Sequence, residues 1–97
     1  MSGRILVSPL ALRDLETIWD RTAARWGQAQ AERYTRLLWH SIEAVAAQPG
    51  LGRACPELRV GYHRLRAGSH ILFYRQAEGG IDLVRILHAA MDFDRHL

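Results

Sequence analysis

The residues able to do chemistry crowd the second half of the chain. His63, Arg64, Arg66, His70, Arg75, Arg85, His88, Asp92 and His96 all fall there. Imidazoles and carboxylates can trade protons, and guanidinium groups can hold a phosphoryl oxygen, so this set contains what phosphodiester cleavage at a 2′-OH requires. The same arginines suit recognition of carboxylate or phosphate without any reaction. Plainer roles compete with both. His70, at the start of a strand-like run, reads as a hydrogen-bonded structural residue. Arg75 and Arg85 can pair with Glu78, Asp82 or Asp92, and Arg95 reads as a solvated tail residue. All 13 cationic side chains are arginine, so no lysine base or Schiff-base lysine exists. His88 and Asp92 would share a face only in a helix, with no third ligand near in sequence, so no metal site is expected. Cys55, the one cysteine, precedes Pro56 in a loop with no base identified and is not expected to be a nucleophile.

These residues need a sheet to hold them. Ser69–Gln76 and Ile81–His88 are strand-like runs around the turn Ala77–Gly80, where Gly79 or Gly80 supplies a positive φ; together they predict a β-hairpin. Tyr62–Ala67 reads as the preceding strand, giving an antiparallel meander. Arg4–Ser8 (RILVS) reads as a first strand, at an edge or beside the last. Ser8-Pro9 is a helix start, with Ser8 as N-cap. Leu12, Leu15, Trp19, Ala23 and Trp26 recur at helical spacing, and Gly27 is placed to cap the helix. A second helix is expected over Ala29–Ala47, with Tyr34, Leu38, Ser41, Ile42 and Val45 inward, stopped by Gln48-Pro49-Gly50. Trp39 sits roughly 120° from that face, so it packs on a second surface or stands exposed. Leu51–Gly61 reads as a loop. The order β-α-α-β-β-β implies an α+β fold, with an antiparallel helical hairpin on one face of an antiparallel sheet.

A length of 97 residues implies one domain spanning 1–97. No apolar run reaches the roughly 18 residues of a membrane span, and the start lacks the layout of a signal peptide. With a single cysteine, a cytoplasmic location is expected and no membrane partner. The net charge of +3 permits an anionic partner without demanding one.

Several segments together resemble a known family: SPLALRDLETIWDRTAARWG (Ser8–Gly27), QAQAERY (Gln28–Tyr34), PGLGR (Pro49–Arg53), GSHILFYR (Gly68–Arg75) and IDLVRILHAAMDFDRHL (Ile81–Leu97). They look like a ParE toxin of the RelE/ParE superfamily, the toxic half of a bacterial type II toxin–antitoxin pair. The resemblance covers nearly the whole chain and implies the compact α+β fold of that superfamily. It implies DNA gyrase as target, through stabilisation of its cleaved-DNA complex. It also implies a ParD-like antitoxin, a ribbon-helix-helix DNA binder whose tail folds on the toxin, so that operator DNA is reached only through the antitoxin. No cofactor is implied. The alternative within the superfamily is a RelE-like ribonuclease acting on ribosome-bound mRNA. Those relatives typically use a tail acid-base group such as tyrosine, which this tail lacks, although His88 could substitute. A third reading is an inactive toxin that keeps only antitoxin binding.

If the chain is an inhibitor, its sites are surfaces. Ile18, Trp26, Leu37 and Trp39, at or beyond the predicted core faces, are the candidates for an antitoxin groove. His88, Met91, Asp92 and Arg95 are the candidates for gyrase contact, with Arg64 and Arg66 beside them. The polar tail Met91–Leu97 is either this effector or a cover for the core through Phe93 and Leu97.

Overall fold

The structure, a computed structural model, describes residues 3–97. Strand β1 (Arg4–Val7) leads into helices α1 (Pro9–Trp26) and α2 (Gln28–Ala47). Strands β2 (Arg53–Ala54), β3 (Tyr62–Ala67), β4 (His70–Ala77) and β5 (Gly80–His88) follow, with single 3-10 turns at Pro49–Leu51 and Phe93–Arg95. The sheet order is β1-β5-β4-β3-β2. The fold is α+β as expected, but the sheet is mixed: β1 lies beside β5 and runs parallel to it. The two-residue β2 sits within the stretch read as loop. It is too short to leave a period in the sequence.

Ser8 fixes how β1 enters α1. Its amide donates to Leu83 O and its Oγ to Val84 O at 2.7 Å, while the same Oγ accepts from Ala11 N as a helix cap. Val84 is the extra residue of a β-bulge, since Tyr74 pairs Leu83 and Phe73 pairs Arg85. The two hairpin glycines are both needed, for different reasons. Gly79 has φ +76°, whereas a Cβ on Gly80 would collide with the Arg4 backbone and prise β1 from β5. Gly27 also has a positive φ, but with ψ extended. It ends α1 through Gly27 N donating to Ala23 O and begins α2 at once.

One sheet face carries the helices. Ala11, Leu15 and Ile18 of α1 and Leu38, Ile42 and Val45 of α2 pack on Leu72, Tyr74, Ile81, Leu83 and Ile86. The inward face of α1 therefore differs from the sequence reading. Leu12 is 52% and Trp26 65% exposed, while the small Ala11, fully buried, lets the helix approach. Tyr74 pins the chain after α2: its hydroxyl donates to Pro49 O and accepts from Gly52 N, and burial pushes its pKa up.

The second face is closed by the chain's own tail. Cys55, Ile71, Phe73 and Leu87 are covered by Leu58, Tyr62, Ala89, Phe93 and Leu97. Phe93 stands edge-on to Phe73 at 5.0 Å, and Arg59 holds the tail through Asp94 Oδ1 and Leu97 O.

Candidate functional site

The helical hairpin and the sheet meet at one end, where the last turns of α1 and first turns of α2 face the start of β4 and the end of β5. A groove of about 390 Å³ opens there, between Arg25, Trp26 and Tyr34 on the helices and Ser69, His70 and His88 on the sheet. It continues into a recess of about 440 Å³ walled by Ile18, Arg21, Ala90 and Met91. His70 and His88 line both parts and join them.

Tyr34 and His70 build the floor. The Tyr34 hydroxyl accepts from Ser69 N at 2.9 Å and shares a hydrogen bond with His70 Nδ1 at 2.6 Å. The Tyr34 ring fills the space a Cβ would need at Gly68, whose φ is +59°. Burial, and then the nearby His88, lower the His70 pKa to about 4. The His70 and His88 rings meet edge to face at 5.4 Å. His88 is exposed, and its Nδ1 accepts from Ala90 N.

A depressed histidine pKa makes the fold sensitive to acid. The unfolded chain binds the His70 proton near pH 6.5 and the native chain only near 4, so stability is complete above about 6.5 and declines as pH falls toward 4. The melting temperature is expected to fall across that window, and less steeply in His70→Asn. A parallel decline in both proteins would remove His70 as a source of acid lability.

The walls are cationic and partly apolar. Arg21 and Arg25 have no ion-pair partner among the described residues. Arg25 lies over the Trp26 ring at 5.1 Å. No carboxylate lines the groove or the recess. Asp14 lies near, but it is committed to Arg85, whose Nε and Nη2 each reach it at 2.8 Å, and to Ile86 N at 2.9 Å. That hydrogen bonding raises the Arg85 pKa further. Arg85 thus pairs with Asp14, not with the nearby acids the sequence offered, whereas Arg75 does pair with Asp82, at 3.4 Å.

The residues singled out from sequence fall into three groups. Trp26, Ile18, His88 and Met91 come together here, although two were read as antitoxin contacts and two as gyrase contacts. Ile18 is 8% exposed and serves chiefly the core. Leu37 is 44% exposed on α2 and Trp39 is half-buried against the main core, and neither lines the groove. Arg64 and Arg66 lie on the opposite sheet face, while Asp92 and Arg95 are exposed along the tail. Sequence reasoning missed Arg21, Arg25 and Tyr34 as groove residues. The i,i+4 arginines Arg21 and Arg25 beside Trp26 were the available signal.

Comparison with known proteins agrees with this architecture. Residues 5–93 match the family described as "ParE toxin of type II toxin-antitoxin system, parDE". Two proteins named Toxin ParE1, from two strains of Mycobacterium tuberculosis, are each 58% identical over 98 residues and cover all of both chains. Toxin ParE1 of Caulobacter vibrioides is 41% identical over 91 residues, 94% of each chain. A solved structure titled "Chromosomal ParDE TA system from P. aeruginosa" superposes with a TM-score of 0.77 over 89% of this chain and 95% of that one. At 17% identity it speaks for the fold alone. The match over nearly the whole length, with relatives this similar, establishes that the chain belongs to the ParE toxin family of type II toxin–antitoxin systems.

Proposed function

We propose that this toxin acts by binding rather than by catalysis, blocking DNA gyrase in its cleaved-DNA complex, and that a ParD-like antitoxin neutralises it by occupying the groove at the helix tips. The observation that carries the reading is the groove itself. It sets Trp26 and Met91 beside the unpaired Arg21 and Arg25, with no carboxylate in its walls. Such a surface fits an acidic amphipathic segment that is disordered alone and folds on binding, apolar side chains on Trp26 and Met91 and carboxylates on the arginines. His88 and Met91 are also two of the six candidates for gyrase contact, the others being Arg64, Arg66, Asp92 and Arg95. An antitoxin seated there would cover His88 and Met91, so neutralisation follows from masking and needs no change of shape.

A second reading, ribonuclease, draws on the His70–His88 pair beside two arginines. It is the weaker one. An imidazole with a pKa of about 4 is a poor base at neutral pH, and its Nδ1 is occupied by Tyr34.

Expression of the toxin alone in a bacterial host is the test in cells. Growth arrest with accumulated broken chromosomal DNA and intact mRNA, relieved by the antitoxin, is expected. Cleaved mRNA with intact DNA would favour the ribonuclease, and unchanged growth would mark an inert toxin.

A further inference from the structure

The sheet face away from the helices carries a second basic feature. Arg53 of β2 stands directly opposite Arg64 of β3, and Arg66 follows two residues along the same strand face. Through their register partners Phe73 and Ile71, Arg64 and Arg66 share the face closed by the tail. Like charges set directly opposite destabilise a strand pair, and here nothing offsets them. No carboxylate among the described residues lies within ion-pair distance of any of the three. Among the described residues, Arg66 alone of the three has a side-chain hydrogen bond, from Nε to Gly68 O. Three other arginines of this part of the fold are spoken for: Arg59 by Asp94, Arg75 by Asp82 and Arg85 by Asp14.

The three line a groove of about 520 Å³ whose floor includes Leu51, Ile71 and Phe93. Residues two apart on a strand are spaced by about 7 Å, close to the separation of adjacent phosphates along an extended nucleotide strand. A guanidinium forks onto two phosphate oxygens, and an apolar floor with an aromatic ring accepts unpaired bases. We infer that this groove binds a single-stranded polynucleotide, its phosphates on Arg53, Arg64 and Arg66 and its bases over Phe93. The three arginines are the only polar side chains of the floor and walls, and with the phosphates on them no side chain is left to read a base or a 2′-OH, so binding is independent of sequence. A duplex, whose bases are stacked away, would use only the arginines.

The test is fluorescence anisotropy of a labelled oligothymidylate with the 97-residue chain, without gyrase, so its outcome is separate from that of the gyrase reading. Binding should weaken with salt with a slope of log K on log salt of about −2, from three phosphate contacts at about 0.7 each. The combined variant Arg53→Gln, Arg64→Gln, Arg66→Gln should bind about tenfold or more weakly, with a slope near zero. It should melt no lower than the parent, because it removes the opposed charges. Arg66→Gln alone, at an exposed position, should lose about threefold, and Arg75→Gln nothing. Equal affinity for parent and combined variant overturns the inference. So does displacement of the oligonucleotide by oligoglutamate at equal concentration, which would make the groove an acidic-peptide site, or tighter binding of a blunt duplex than of the single strand.

Discussion

Asp14→Ala is expected to lower the melting temperature by about 15 °C, from a loss of about 3 kcal/mol. The carboxylate is the joint between α1 and the end of β5. It receives both arms of Arg85 and the amide of Ile86, and both charged side chains are only about 15% exposed. Removing it leaves a guanidinium and a backbone N–H largely out of water with their partner gone, the costly way to break an ion pair. Arg85 Nη1 also donates to His96 O, so the tail should loosen as well. Asp82→Ala is the control. Its pair with Arg75 is longer, at 3.4 Å, with the arginine side chain 52% exposed, and it should cost less than about 0.5 kcal/mol. Thermal melts of the two variants check both values. Equal losses would mean that the Asp14 joint carries no special weight.

The second large effect is on recognition. Trp26→Ala should raise the antitoxin dissociation constant about thirtyfold, corresponding to about 2 kcal/mol, because an exposed tryptophan stacked under Arg25 is the kind of side chain that dominates an interface. Its 65% exposure means that truncation costs the fold little. Arg21→Ala with Arg25→Ala should lose about tenfold and flatten the salt dependence. Leu37→Ala, outside the groove, should change affinity by less than about threefold. Titration calorimetry with the antitoxin gives all of these. Unchanged affinity in Trp26→Ala with a large loss in Leu37→Ala would move the antitoxin to the outer face of α2.

Much of the fold was legible in local pattern. The Ser8-Pro9 start, the glycine between the helices and the two strands flanking Ala77–Gly80 are short-range signals, and the elements fall within a residue or two of where those signals put them. What was not legible is long-range. A place for β1 beside the last strand was among the readings, but its parallel direction depends on Ser8 meeting a bulge at Val84, and nothing near Ser8 in sequence announces it. The face of α1 was misread because large apolar residues outweigh alanine in a periodicity count, whereas close approach to a sheet favours the small Ala11. Nothing local marks Asp14, whose partners lie 71 and 72 positions away. The tail shows the same limit. Phe93 and Leu97 cover the second core while Met91 faces the groove, so one short segment serves both fold and surface. Deleting it would therefore confound the two, and point substitutions at His88 and Met91 are the cleaner probes of gyrase contact.

The proposed inhibition of gyrase by binding is tested by supercoiling of relaxed plasmid by purified gyrase with ATP, with and without the toxin, scoring cleaved DNA after detergent and protease. Loss of supercoiling with accumulation of linear plasmid is expected, reversed by the antitoxin and weakened by substitution at His88 and Met91. Full supercoiling in the presence of folded toxin would contradict it and return the His70–His88 pair to consideration as the centre of a ribonuclease.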